Sequence, residues 1–266
     1  MTGWEALILG LVQGLTEFLP VSSSGHLVMG HVLLGLESDV PFDALVHGAT
    51  LLATIVYFRR QLIDLVRGRS VTYIGKLALG TLPAGAIGLG FRDAIERSFA
   101  SAWFAAATLA ATGLLLLSLY FVPQERWRGA RAEPPAPEGP AEPSWAVAWW
   151  VGWAQAVSIL PGISRSGATI VTAIWLGMAP AAAAEFSFIL GIPAIAGAVV
   201  LEASAMRAGL AAGQTTAYLI GAVAAFVSGL LAIYLVFRLL ARREFRWFGY
   251  YCLAVAALFG AWLWMT

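Results

Sequence analysis

The stretch EFLPVSSSGHLV, residues 17–28, places a carboxylate, three serines and a histidine between two apolar runs. Pro20 ends a helix because proline lacks an N–H group and its ring clashes with the preceding turn. The serines at 22–24 are residues that cap the start of a helix, and Gly25 permits close backbone approach. The stretch therefore predicts a sharp break between two short helices.

Composition places this break inside a membrane. The 266 residues are 60% hydrophobic and only 12% charged, against roughly 25% charged residues in an average soluble domain. Apolar stretches recur along the chain, without the alternating ten-residue segments of a β-barrel. We expect one all-α polytopic membrane domain, residues 1–266. The net charge of +1 gives no indication of nucleic-acid binding, and the single Cys252 excludes a disulfide within the chain.

Six apolar stretches approach the roughly 20 helical residues that cross a membrane. They are Asp43–Phe58, Tyr73–Phe91, Ser101–Val122, Ala183–Leu201, Thr215–Phe237 and Phe248–Trp264. Two further regions, Trp4–Leu34 and Trp145–Met178, each read as two short helices around a polar loop. Non-helical backbone at membrane depth is tolerated only inside protein or beside a water-filled cavity. We therefore expect six transmembrane helices and two re-entrant helical hairpins.

An internal repeat relates the two halves of the chain, 1–122 and 144–266, which a proline-rich and charged linker at 123–143 joins. Each half has the order hairpin, span, span, span, and several polar residues recur 142 positions apart. These pairs are Gln13 with Gln155, Gly25 with Gly167 and Asp43 with Glu185. An odd number of spans per half turns the second copy upside down, which predicts an inverted-topology repeat.

The basic residues agree with this topology. One side would receive twelve of them: Arg59, Arg60, Arg67, Arg69, Lys76, Arg126, Arg128, Arg131, Arg238, Arg242, Arg243 and Arg246. The other side would receive three: Arg92, Arg97 and Arg207. Cytoplasmic loops carry the excess of Lys and Arg, so the linker is predicted to be cytoplasmic and both termini to face outward.

The second hairpin carries Arg165 in the loop PGISRSGAT, residues 161–169. Ionisable groups at membrane depth are costly and are functional candidates by default. A guanidinium beside hydroxyl groups and the free N–H groups of a helix start forms a receptor for phosphate. The alternative is a purely structural ion pair of Arg165 with Glu17 or Glu185.

The first hairpin carries Glu17, one helical turn after Gln13, so both side chains share a face. A carboxylate repels a bare phosphate, and Glu17 must therefore take a proton or bind a metal ion that bridges to phosphate. Glu17, with Gln13 as a weaker ligand, would suit Mg²⁺ or Ca²⁺ shared with substrate oxygens.

These motifs resemble those of the undecaprenyl-diphosphate phosphatases, also called bacitracin-resistance proteins, and the resemblance covers essentially the whole chain. QGLTEFLPVSSSGH (13–26) and PGISRSGAT carry it, with a weaker contribution from EFSFILGIPAIAGA (185–198). Many members have glutamate where this chain has Gln13, which leaves Glu17 as the indispensable acid.

The resemblance implies a phosphoric anhydride hydrolase that converts undecaprenyl diphosphate to the monophosphate and inorganic phosphate. Such an enzyme recycles the lipid carrier for peptidoglycan and cell-wall synthesis, supports cell shape and confers bacitracin resistance. The implied location is the bacterial plasma membrane, with the active site open to the outer face. The expected partners are the polyprenyl diphosphate substrate and membrane lipids, and a homodimer is compatible with the sequence.

We expect in-line phosphoryl transfer in which Ser23 attacks, His26 acts as base or leaving-group acid, and Glu17 orients His26 or holds a metal. Arg165 would stabilise the transferred phosphate. Further phosphate-binding candidates are Ser22, Ser24, Gly25, Ser164, Ser166, Gly167 and Thr169. Attack by His26 through a phosphohistidine, or directly by water, stays open.

A transporter or flippase for a lipid-linked or small anionic substrate is the alternative of a different class, because inverted repeats and broken helices are transporter features. A catalytic set of Ser, His, Glu and Arg favours the enzyme. Asp43 and Glu185 are expected to support the long helices. His31 and His47 are expected to be packed or interfacial rather than catalytic.

Overall fold

A computed structural model describes residues 1–67, 71–123, 127, 142–209 and 214–265, and within these residues the chain is helical without any β-strand. The α-helices are α1 (Gly3–Phe18), α2 (Ser23–Leu33), α3 (Val40–Tyr57), α4 (Arg59–Val66), α5 (Val71–Gly90), α6 (Arg92–Phe99), α7 (Ala102–Leu117), α8 (Trp145–Val157), α9 (Arg165–Trp175), α10 (Pro180–Leu201), α11 (Ala203–Gly209), α12 (Thr215–Ala241) and α13 (Trp247–Met265). A 3-10 helix, Ser118–Phe121, extends α7.

Within the described ranges, α3, α10, α12, α13 and the extended α7 are each long and apolar enough to cross a membrane. Helix α5 qualifies together with α6, and the two are bent by 81°. With this bent pair taken as one span, the predicted six spans are present. The prediction of an all-α polytopic membrane protein is therefore confirmed.

The first predicted break separates α1 from α2. Helix α1 begins at a capping box, in which Thr2 and Glu5 exchange side-chain and backbone hydrogen bonds, and it ends two residues before Pro20. Ser22 caps α2 by accepting a hydrogen bond from the Gly25 N–H group at 3.3 Å. Ser22 has a φ of 67°, which a residue with a Cβ rarely adopts, so the turn between the helices is strained.

The second break, between α8 and α9, repeats the serine cap but not the strained turn, because Ser164 has a φ of −74°. Ser164 caps α9 by accepting from the Gly167 N–H group at 3.0 Å. Helices α2 and α9 are both 11 residues long, and each starts one residue after its capping serine. The capping serines lie 142 positions apart, at the offset found in the sequence.

The loops of the two hairpins lie against each other. A Cβ on Gly25 would be 3.0 Å from the Cα of Gly162, and a Cβ on Gly167 would be 3.3 Å from the Cβ of Pro20. The Ser166 hydroxyl also donates to the Leu19 carbonyl at 3.2 Å. The polar ends of both hairpins are thereby brought to one place.

Glycines let the hairpins approach the spanning helices closely. In the contact between α1 and α12, a Cβ on Gly10 would lie 2.8 Å from the Cα of Gly221. In the contact between α8 and α5, a Cβ on Gly152 would lie 2.9 Å from the Cα of Gly80. Small residues at such contacts are the usual basis of helix packing in membranes.

An aromatic cluster forms the core behind the hairpin loops. Phe188 of α10 packs edge-on against Phe18 of α1 at 5.4 Å between ring centroids, and against Phe237 of α12 at 6.2 Å. Phe58, at the end of α3, completes the cluster. This packing places Glu17, next to Phe18, beside α3, α9 and α10.

Most of the predicted linker at 123–143 lies outside the described residues, as do Arg69, Arg126, Arg128 and Arg131. The division into halves and their opposite orientation in the membrane stay predictions.

Candidate active site

The carboxylate of Glu17 is the centre of the polar contacts between the hairpins. Glu17 occupies the last turn of α1 and is 6% exposed. Its Oε2 accepts a hydrogen bond from the Ser23 hydroxyl at 2.7 Å and another from the Gln13 amide at 3.0 Å. Ser23 is the first residue of α2, so the strained turn at Ser22 folds the hydroxyl back onto the preceding helix.

Arg165 reaches the same carboxylate from the other hairpin. It is the first residue of α9, and its Nη2 donates to Glu17 Oε1. The second guanidinium nitrogen, Nη1, is buried and has no hydrogen-bond partner among the described residues. An unpartnered buried donor is costly, which marks this nitrogen as a candidate for binding a ligand that displaces its surroundings. The structure brings Glu17, Ser23 and Arg165 into contact, and the Arg165–Glu17 contact is also the ion pair expected for a purely structural role, so the catalytic roles of these residues stay predictions.

Helix α7 holds the start of α9 in position. The Thr112 hydroxyl donates to the Gly162 carbonyl at 2.8 Å and accepts from the Ser164 N–H group at 3.0 Å. Thr108 donates to the Pro161 carbonyl. These bonds fix the loop from which the Arg165 side chain extends.

The hydroxyls predicted to bind phosphate directly are engaged within the protein. Ser164 and Ser166 are both 1% exposed, and their hydroxyls lie 3.2 Å apart. Thr169 bonds the Arg165 carbonyl at 2.7 Å and the Ser187 hydroxyl at 2.5 Å. The corresponding pair of the first hairpin, Ser22 and Ser24, has hydroxyls 3.4 Å apart. In this arrangement the hydroxyls shape the loops and position Arg165, and their role as phosphate ligands stays a prediction.

His26, on α2, is half-buried and makes different contacts from those expected. Its Nδ1 lies 2.8 Å from the Ser22 carbonyl oxygen, and its Nε2 lies 2.9 Å from the Tyr251 hydroxyl. The Ser23 hydroxyl donates to Glu17 instead of to His26. Glu17 is therefore the group placed to accept the Ser23 proton. Glu17 was also expected to orient His26, but none of these hydrogen bonds joins the two side chains.

Three residues outside the two hairpin motifs reach the site. His47 Nε2 of α3 lies 3.7 Å from Glu17 Oε2. Gly191 of α10 lies against the Arg165 guanidinium, and Tyr251 of α13 contacts His26. A polar residue within an apolar helix was the only sequence signal for His47 and Tyr251, and the only signal for Gly191 was its place in the weaker motif at 185–198.

The two other acids singled out in the sequence, Asp43 and Glu185, have different surroundings. Asp43 pairs with His31 at 3.0 Å, as expected for groups that support the helices. Glu185 is 1% exposed, and its Oε2 has no hydrogen-bond partner in the described part of the chain. Neither acid has a recorded contact with Glu17.

The residues around Glu17 fit a divalent cation only in part. Gln13 Oε1 is a buried oxygen without a partner among the described residues, and with Glu17 it offers the hard oxygen ligands that Mg²⁺ or Ca²⁺ takes. The described residues contain no group of three or more His, Cys, Asp or Glu side chains suited to a metal. A cation here would need most of its ligands from substrate and water.

The comparisons with a family model and with individual known proteins agree with each other. The family model "Bacitracin resistance protein BacA" matches residues 6–258. An undecaprenyl-diphosphatase of Salinibacter ruber is 40% identical, with 99% of this chain and all of the relative covered. Those of Rubrobacter xylanophilus and Methanococcus maripaludis are 40% and 38% identical, covering 97% and 93% of this chain and 97% and 95% of the relatives.

Proposed function

The chain belongs to the bacitracin resistance protein BacA family, and we propose that it hydrolyses undecaprenyl diphosphate to undecaprenyl phosphate and inorganic phosphate. The observation that carries the proposal is the contact of Ser23 and Arg165 with the two oxygens of Glu17. These contacts support the proposal because they join a candidate nucleophile, a candidate base and a candidate phosphate-binding cation. The reaction would return the lipid carrier to peptidoglycan synthesis and confer bacitracin resistance.

In the first step, the Ser23 hydroxyl attacks the terminal phosphorus. Glu17 Oε2, 2.7 Å away, takes the hydroxyl proton as the Oγ–P bond forms. The bond from phosphorus to the bridging oxygen breaks, and polyprenyl phosphate leaves. We assign His26 to protonate that oxygen, because it is the remaining titratable group of the α2 start and is partly exposed.

In the second step, water attacks the phosphoserine and gives a proton to His26. The P–Oγ bond breaks, Ser23 recovers its proton from Glu17, and inorganic phosphate is released. Ser23, Glu17 and His26 thereby return to their starting protonation states. The net result of the two steps is hydrolysis of one phosphoric anhydride bond.

Substrate binding changes the partner of Arg165. The guanidinium pairs with Glu17 before substrate arrives, while Nη1 has no partner among the described residues. A phosphate group, with its oxygens and higher charge, competes for the guanidinium and stabilises the transition state through it. Glu17 then loses its strongest partner and becomes a better base at the moment when Ser23 attacks.

The two rival assignments of the attacking group differ in what they require. A phosphohistidine would need the His26 Nε2 to leave its contact with Tyr251, while the Nδ1 stays at the Ser22 carbonyl. Direct attack by water would use Glu17 as the base and leave Ser23 as a hydrogen-bond donor only. A divalent ion held by Glu17 and Gln13 would neutralise charge on the diphosphate.

The substrate and the fold suggest the location. We propose the bacterial plasma membrane, both termini outside, and a site that opens to the outer face, with the prenyl chain entering from the lipid. The excess of basic residues on the side of the linker supports this orientation.

Phosphate release tests the proposed function. Protein purified in detergent should release inorganic phosphate from undecaprenyl diphosphate, and an Arg165→Ala variant of equal thermal stability should lose most of this activity. No release by the wild type, together with movement of the lipid across vesicle membranes, would instead identify a transporter.

A further inference from the structure

A groove lies between α5 and α10, outside both hairpins. Its volume is about 700 Å³, and its lining residues all lie on one face of α5 except Pro193 of α10. On α5 the lining runs from Ile74 to Leu89, which is roughly 22 Å of helix at 1.5 Å per residue. Thr81 is the one polar residue of the lining, and its hydroxyl donates to the Leu77 carbonyl at 2.7 Å. The groove therefore presents an apolar surface.

Helices α5 and α10 are joined near both ends of this groove. Tyr73, in the first turn of α5, packs edge-on against Phe186 of α10 at 6.0 Å between ring centroids. Beyond the other end of α5, Arg92 Nη2 donates to Glu202 Oε1 at 3.3 Å, directly after the end of α10. Between these contacts Pro193 removes one hydrogen bond from α10, because proline has no N–H group. The groove is the gap that remains between the two helices.

One end of the groove lies next to the loop that carries Arg165. A Cβ on Gly88, at this end of α5, would lie 3.8 Å from Cδ1 of Ile159 in the loop of the second hairpin. On α10, Pro193 follows by two residues Gly191, which lies against the Arg165 guanidinium. A lipid whose phosphate binds Arg165 therefore has this end of the groove close to its headgroup.

We propose that the groove seats the prenyl chain of the substrate, which runs from the Leu89 end toward Ile74 while Arg165 holds the phosphate. The inference rests on the proposed function and adds the place where the lipid tail binds. Each isoprene unit carries a methyl branch, and the small side chains of Ala78 and Ala86 leave room for such branches between larger residues of the lining. The phosphate held at Arg165 selects this chain over the acyl chains of membrane lipids.

The groove acts by placing the chain. A lipid tail gains no hydrophobic free energy when it leaves a membrane or micelle for the groove, since both surroundings are apolar. Close packing of the tail instead fixes its direction, and this helps to hold the terminal phosphorus at Ser23. The effect on kcat/KM should therefore depend on the length of the prenyl chain.

An Ala78→Trp variant of the detergent-purified protein tests this seat. Ala78 is exposed, so an indole there fills the groove without displacing the core. The kcat/KM for undecaprenyl diphosphate should fall by about fivefold or more, because the tail loses its fixed position. Farnesyl diphosphate, whose chain is too short to reach Ala78 from the Leu89 end, should keep its kcat/KM. The matched control is Ala257→Trp at an exposed alanine of α13, which should leave both substrates unaffected.

Photo-crosslinking locates the chain directly. The probe is a methylene diphosphonate analogue of undecaprenyl diphosphate, which is not hydrolysed, with a diazirine in the half of its prenyl chain nearer the phosphonates. After irradiation the label should lie in α5. Excess unlabelled undecaprenyl phosphate should reduce this labelling, whereas excess phosphatidylglycerol should not.

Two kinds of result would overturn the inference. Labelling spread equally over α5 and the apolar α13, or labelling suppressed by phosphatidylglycerol, would mean that the groove holds any membrane lipid. Equal losses with both substrates in Ala78→Trp, or no loss with undecaprenyl diphosphate, would mean that the groove does not seat the chain. Failure of the proposed function is distinct from these results, since the wild type would then release no phosphate from either substrate.

Discussion

The guanidinium of Arg165 lies directly against the backbone of Gly191, in the middle of α10. A Cβ at position 191 would lie 2.8 Å from Arg165 Cζ and even closer to Nη1. Only a residue without a side chain leaves room for this guanidinium next to Glu17. The glycine is therefore part of the geometry of the site, although it provides no functional group.

A Gly191→Ala substitution should displace Arg165 and reduce kcat/KM for undecaprenyl diphosphate by about 100-fold, because small displacements of a charge-stabilising group are costly. The control is Gly197→Ala in the same helix, where a Cβ meets nothing within 4 Å. That change should keep full activity and stabilise the helix by roughly 0.5–1 kcal/mol. In an Arg165→Lys background, Gly191→Ala should add little further loss. A large further loss would mean that Gly191 acts on something other than Arg165.

The hydrogen bond from Ser23 to Glu17 predicts a phosphoserine intermediate. Ser23→Ala should lower kcat at least about 1,000-fold, as removal of a nucleophile does in other hydrolases. Substrate labelled in its terminal phosphate, mixed with enzyme and quenched in acid, should label Ser23 in the wild type. Ser158→Ala is the control, because its buried hydroxyl bonds only the Gln155 carbonyl in the described contacts. Normal turnover by Ser23→Ala would transfer the attacking role to water or His26.

The hairpins and their pairing could be predicted from sequence because the signals are local. Pro20 and the capping serines stop and start helices whatever surrounds them. Glu17 and Arg165 are opposite charges at membrane depth, where each needs a partner. The number of spans followed from length and hydropathy, although the short helices α4, α6 and α11 at the span ends were not predicted.

The contacts within the site depend on how the helices pack against one another, which the hydrophobic periodicity of the sequence does not determine. His47 and Tyr251 lie in apolar helices whose rotation about their axes decides whether they face the site, and nothing in the sequence specifies that rotation. Ser23 bonds Glu17 rather than His26, and this depends on the backbone turn at Ser22, which has a φ of 67°. A serine in that conformation has no sequence signature.

Because His26 contacts Tyr251, removal of the Tyr251 hydroxyl should have a modest effect on kcat. Tyr251→Phe keeps the ring, which stacks on His26 at 5.8 Å, and removes the partner of Nε2. One hydrogen bond contributes about 0.5–1.5 kcal/mol, so kcat should fall by up to about tenfold. Tyr250→Phe is the matched control, since that hydroxyl bonds Tyr120 instead. Equal activities of the two variants would exclude a role of Tyr251 in setting His26.

A substitution at Gly162 should show how strongly the site depends on the contact between the second hairpin loop and α7. Its φ is +91°, and a Cβ there would lie 2.9 Å from the backbone nitrogen of Leu109. Gly162→Ala therefore combines backbone strain of about 1–2 kcal/mol with overpacking of about 1–3 kcal/mol. We expect a lower thermal midpoint in detergent and reduced phosphate release, because the loop that carries Arg165 must move away from α7. Gly85→Ala, where a Cβ meets nothing within 4 Å, should leave both measurements unchanged or raise the midpoint slightly. A Gly162→Ala protein as stable as the wild type would show that the loop can retreat from α7 without cost.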